Sequence, residues 1–155
     1  MKKNILILCC GYLYASDAGF GYHVSKVLEK MKLPENVDFM EVGFSACMVP
    51  HIIEGKDKLI VVDIFYTNDK PGTVVRLQQQ EVPLMVKGKT DAAKLNLMDT
   101  LDQLKLTGQC PASVFIGIVP VDTQTEGERL SPEAESKIPA VIEMIIEEIN
   151  STPAR

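Results

Sequence analysis

Asp63 stands at the end of the most apolar stretch of the chain, Lys58-Leu59-Ile60-Val61-Val62-Asp63-Ile64. An ionised carboxylate is expensive inside an apolar core, so it belongs at the end of that stretch, facing a crevice. A second acid, Asp17, lies in a loop with Gly11, Gly19 and Gly21, just after the apolar run Ile5 to Cys9. Asp63 admits two readings: a solvated cleft carboxylate with a chemical role, and an aspartate that caps a helix or braces a loop. The two histidines are His23, two residues past Gly21, and His51, next to Pro50. His23 fits an exposed helical position. His51 fits a surface or capping role, and also a ligand or acid–base role at the rim of the same crevice.

Several other chemistries find little in the sequence. Gly11 is eight residues before Gly19, unlike the compact Gly-x-Gly-x-x-Gly turn of dinucleotide sites, and the loop has no lysine for a P-loop. Ser16 and Ser45 lack the Gly-x-Ser-x-Gly context of a nucleophile elbow. Cys47 and His51 have i, i+4 spacing, but nothing else supports a thiol–imidazole pair. The remaining cysteines are Cys9, Cys10 and Cys110, and no Cys-x-x-Cys pair exists to hold zinc or an iron–sulfur cluster. Adjacent strand residues point to opposite faces, so a Cys9–Cys10 bridge is geometrically poor. The expectation is no intrinsic metal, no structural disulfide and no intrinsic cofactor. The catalytic group is not legible.

The elements that must position these residues follow from hydrophobic period. Ile5 to Cys9 is a buried strand, and Val24, Val27 and Leu28 at i, i+3, i+4 mark a helix after the glycine loop. Val37 to Val42 alternates as a half-buried strand, and Val49 to Ile53 reads as a short helix. Lys58 to Ile64 is the best buried strand. Asn68-Asp69-Lys70-Pro71-Gly72 is a turn, and Thr73 to Leu77 reads as an antiparallel edge strand, its connection being too short for a crossover helix. Glu81 to Gly88 has no clear pattern. Ala92 to Leu106 forms an amphipathic helix ended by Gly108, and Val114 to Val119 is the last core strand. After a polar loop, Ser131-Pro132 caps a final helix, in which Pro139 is expected to cause a kink or a break. Mostly parallel strands alternating with helices predict an α/β fold, a three-layer α/β/α sandwich with one antiparallel edge strand.

The bounds agree with this. A length of 155 residues fits one domain, taken as 1–150 with a tail over 151–155. A net charge of −5 without a basic stripe argues against a nucleic-acid partner. No apolar run approaches the roughly 18 residues of a membrane span. Asn4 to Leu8 is too short for a signal-peptide core, so the expected location is cytoplasmic and no membrane partner is expected.

The segment from Gly11 to Gly21 also resembles the N-terminus of the nickel-iron hydrogenase maturation endopeptidases. These begin with an apolar strand, then Gly-Asn-x-Leu-x-x-Asp-(Asp/Glu)-Gly-x-Gly and a helix. Gly11, Leu13, Asp17, Gly19 and Gly21 match. Tyr12 stands where the family has Asn, and Ala18 where it has its second acid. The likeness continues through Leu59-Ile60-Val61-Val62-Asp63, Lys70-Pro71-Gly72-Thr73-Val74, Glu81-Val82-Pro83, Thr107-Gly108 and Ile116-Gly117-Ile118-Val119-Pro120. It implies a twisted five-stranded sheet with helices on both faces. It also implies a metal-free endopeptidase that recognises nickel in the precursor of a nickel-iron hydrogenase large subunit and removes its C-terminal extension. The nickel is then supplied by the substrate. The family's proposed metal contacts fall on Ala18, Asp63 and Ala93, of which only Asp63 has a donor side chain. Asp17 and Asn96 are the nearby substitutes for the missing donors, with Asp91 also close. The alternative is a non-cleaving relative that binds or chaperones a hydrogenase subunit.

Overall fold

The computed structural model describes residues 2–43 and 50–152, so that Ser45 and Cys47 lie outside the described residues. In chain order the first elements are β1 (Ile5–Cys10), α1 (Phe20–Glu29), β2 (Val37–Gly43), α2 (Pro50–Ile53), β3 (Lys58–Ile64) and β4 (Val74–Leu77). The hairpin strands β5 (Met85–Val86) and β6 (Lys89–Thr90), the helix α3 (Ala92–Leu106), β7 (Ala112–Ile118) and α4 (Pro132–Ser151) follow. The main sheet has five strands in the order β2-β1-β3-β7-β4, with β3 at its centre. Its pairs are parallel except β4 with β7, which is antiparallel at the edge.

The pleat of the sheet sorts the apolar residues into two cores. Ile5, Ile7, Cys9, Ile60 and Val62 face one side, where Phe20, Val24 and Leu28 of α1 and Val141 and Ile145 of α4 pack on them. Leu6, Leu8, Cys10, Leu59 and Val61 face the other side, against Leu97, Met98 and Leu101 of α3. Burying each of these large side chains is worth about 1.5–3 kcal/mol, which makes the two layers, rather than helix propensity, the source of stability. Three ion pairs fasten α4 to the sheet among the described residues: Lys58 Nζ lies 2.6 Å from Glu148 Oε2, Arg76 Nη2 lies 2.6 Å from Glu147 Oε2, and Arg76 Nη1 lies 3.6 Å from Glu148 Oε1.

Three features differ from the sequence reading or sharpen it. The edge strand β4 sits beside β7 rather than β3: the chain leaves β3, passes the end of β7 and returns. Hydrogen bonds from Phe65 N to Ile118 O, Gly72 N to Val119 O and Val119 N to Thr73 O fix that path. Residues 79–90, unreadable by period, form a 3-10 turn and the β5–β6 hairpin. Pro139 does not end the last helix, which runs as one element from Pro132 to Ser151 with the exposed proline inside it. The apolar side chains on its buried face hold it through the missing hydrogen bond. No helix among the described residues is long and apolar enough to cross a membrane.

Candidate functional site

The alternation that buries Leu59 and Val61 against α3 also turns Asp63 to that side, at the carboxyl end of the central strand. There it meets the start of α3. A pocket of about 110 Å³ opens at this junction, between the loop after β1 and the first turns of α3. Gly11, Ala18, Asp63, Asp91, Ala93 and Lys94 are among its walls, and Phe65, Val82, Leu97 and Met98 make much of the rest apolar. The three positions that the resemblance singles out, Ala18, Asp63 and Ala93, therefore converge on one pocket.

The loop can come this close because of two glycines. Gly11 has φ +132°, and a Cβ there would overlap the Ala18 carbonyl oxygen and approach Asp63 Oδ1 to 3.4 Å. At Gly21 a Cβ would collide with the Cys10 backbone, so that α1 packs directly on the end of β1. Gly19 is buried under the same loop.

The charged centre of the pocket is Lys94, which sequence reasoning passed over. Its Nζ lies 3.3 Å from Asp63 Oδ2 and 3.3 Å from Asp91 Oδ2, and 5.1 Å from the centroid of the Phe65 ring. Asp91 also caps α3, its Oδ1 accepting from Lys94 N at 3.2 Å. Asp63 Oδ1 accepts from Ile64 N at 2.8 Å. A lysine in the first turn opposes the helix dipole and, at 8% exposure, has left most of its water behind, so it needs both carboxylates. Burial pushes the Asp63 carboxyl above the usual carboxylate range, and the Lys94 ammonium and the Ile64 N–H pull it back only in part. Burial also works against the Lys94 charge, but Asp63 and Asp91 outweigh it and lift its pKa above the ordinary lysine value. Asp63 is therefore not the solvated carboxylate expected from sequence but one arm of a part-buried ion triad. Chemically the site offers one ammonium and two carboxylates at the foot of an apolar hollow.

The other candidates go elsewhere. Asp17 is fully buried and does not line the pocket. Its carboxylate accepts from Val121 N (2.9 Å), Asp122 N (3.0 Å), Ser131 N (2.8 Å) and Ser131 Oγ (2.9 Å), which ties the glycine loop to the start of α4. The place expected for Asp17 as a metal contact is thus corrected: its lone pairs are spent on a brace. Asn96 is exposed on α3 and does not border the pocket, and His51 is exposed on α2 and does not border it either. His23 is half-buried, with Nε2 2.6 Å from the Glu128 carbonyl oxygen, so it fastens the 122–129 loop to α1. Among the described residues no group of three His, Cys, Asp or Glu side chains could hold a metal ion. One signal could have exposed Lys94: an aspartate at a helix N-cap followed three residues later by a lysine, where an acid would suit the dipole better.

Comparison with known proteins bears on the family and the fold. A hydrogenase maturation protease family model matches residues 22–148. The hydrogenase 2 maturation protease of Escherichia coli is 27% identical over 146 residues, covering 92% of this chain and 88% of that protein. The coenzyme F420 hydrogenase subunit delta of Methanothermobacter thermautotrophicus is 30% identical over 157 residues, covering 94% of each. Among solved structures, the hydrogenase-maturating endopeptidase HybD from Escherichia coli superposes with a TM-score of 0.85 at 26% identity, over 95% of this chain and 92% of that one. With a family model spanning most of its length and the same five-stranded fold, the chain belongs to the hydrogenase maturation protease family.

Proposed function

We propose that this chain is the endopeptidase that trims the C-terminal extension from the precursor of a nickel-iron hydrogenase large subunit, and that it docks the precursor at the Asp63 pocket. Family membership supports the peptidase activity and a hydrogenase subunit as its substrate. The observation that supports the docking place is the convergence of Ala18, Asp63 and Ala93 on one pocket at the carboxyl end of the central strand. Open α/β sheets bind their ligands at that end. In this reading the enzyme works without a resident metal, and any nickel at the site arrives with the substrate. The test mixes the purified chain with purified large-subunit precursor and follows the precursor's mass. Loss of the C-terminal extension is the expected result. An unchanged mass sinks the cleavage reading.

A second reading is favoured by the same pocket. Ala18 and Ala93 offer methyl groups, and a methyl group ligates nothing. A chain that binds a hydrogenase subunit without cutting it would co-elute with the intact precursor on size exclusion.

A further inference from the structure

Each carboxylate oxygen of the ion triad already accepts one hydrogen bond. Asp63 Oδ1 holds the Ile64 N–H and Oδ2 holds the Lys94 ammonium. Asp91 Oδ1 holds the Lys94 N–H and Oδ2 the same ammonium. The rest of the lining includes the methyl groups of Ala18 and Ala93 and the apolar side chains of Val82, Leu97 and Met98. A divalent ion brought to this floor would meet a fixed positive charge, and would have to displace it from both carboxylates.

We infer that Lys94 sets the specificity of this pocket: its ammonium fills the seat between Asp63 and Asp91 that a substrate cation would need, so the pocket receives a metal-free polypeptide segment. The inference rests on the docking reading given above and names the form of precursor taken there. An ammonium has three N–H donors, and among the described residues two are spent on carboxylates. The third is left for an acceptor on the bound segment, a backbone carbonyl, while an apolar side chain of that segment enters the hollow beside Phe65 and Met98. Lys94 is thus a specificity-determining residue rather than one that takes part in bond cleavage.

The test titrates the chain calorimetrically with two forms of one purified large-subunit precursor, nickel-free and nickel-loaded. The expected result is binding of both, with nickel improving the dissociation constant less than threefold. An improvement of threefold or more overturns the inference and leaves the docking reading intact. Binding of neither form overturns both. Lys94→Gln removes the ammonium and frees the two carboxylates, so this variant should acquire a nickel preference of threefold or more. A folded K94Q that stays indifferent to nickel overturns the assignment to Lys94. Should K94Q lose its folded circular dichroism spectrum, Lys94→Arg keeps the cation. K94R should bind both forms alike, and a nickel preference in K94R overturns the inference.

Discussion

Replacing Asp63 with asparagine keeps the shape of the side chain and removes one of the two charges that hold Lys94. Lys94 retains Asp91, so Asp63→Asn should cost about 1–3 kcal/mol of stability rather than the larger loss of an unpaired buried charge. Precursor binding or processing per folded molecule should fall by about tenfold, because Asp63 positions the Lys94 ammonium that meets the bound segment. Both are measured on one preparation, by urea unfolding and by precursor mass. A destabilised variant that remains fully active would reduce Asp63 to a brace. Asp17→Ala should behave the other way. It orphans four hydrogen-bond donors around a fully buried position, costing about 2–4 kcal/mol, while activity per folded molecule is unchanged. The difference between the two acids explains what was legible. Asp63 was readable because a charge at the end of an apolar strand has few places to go. The work of Asp17 was not, because its partners lie 104 to 114 positions away along the chain. Lys94 was hidden for a related reason: a lysine in a helical pattern reads as solvent-facing until both of its acids are in place.

The start of α4 shows the same coupling between elements. Ser131 accepts from Ala134 N at 3.3 Å, capping the helix, and its hydroxyl donates to Asp17 at 2.9 Å. Ser131→Ala should therefore lower stability by about 1–2 kcal/mol, the sum of a lost cap and a lost hydrogen bond to a charged group. Because both substitutions break the same bond, the Ser131→Ala/Asp17→Ala double variant should cost less than the two single costs added, as measured in a urea double-mutant cycle. Strict additivity would mean that the glycine loop and α4 do not share this contact. Capping serine and N1 proline made this helix readable in advance, and continuous apolar runs did the same for β1, β3 and β7. The β5–β6 hairpin was not readable, since its strands are two residues each and carry no period. The connector before it is held by a local reciprocal bond, Gln78 N donating to Glu81 Oε2 at 3.0 Å. Nor was the seat of β4 readable, because a short strand with one free edge can be placed on either neighbour until the bonds of Gly72 and Val119 are known.

At the scale of the whole molecule, the centre of the sheet is sealed on the α1–α4 side, and Cys9 reports the seal. Its thiol is fully inaccessible, and burial, together with the charges of Glu41 and Asp63, pushes its pKa from 9.0 up to about 12. In the unfolded chain the thiol ionises near pH 9, while in the folded protein it keeps its proton to about pH 12. Between these values the folded state binds more protons, so stability falls as pH rises. A shift of this size makes the loss roughly 4 kcal/mol by the top of the window, at about 1.4 kcal/mol per pKa unit. Lys94 acts in the same direction at higher pH. Its pKa is raised above 10.5 by Asp63 and Asp91 against the opposing effect of burial, so its contribution is whole below that value and is lost above it. The comparison that isolates Cys9 is Cys9→Ala. At pH 8 this variant should be less stable than the wild type by about 1–2 kcal/mol, because it leaves a small void in the core. It has no thiol to ionise, so its stability should fall less steeply, and the gap should close or reverse by pH 11. Urea midpoints of both proteins at pH 8, 9.5 and 11 measure this directly. A gap that stays constant across the series would mean that solvent reaches the thiol in the folded protein and that the central strands are less tightly covered than their burial indicates.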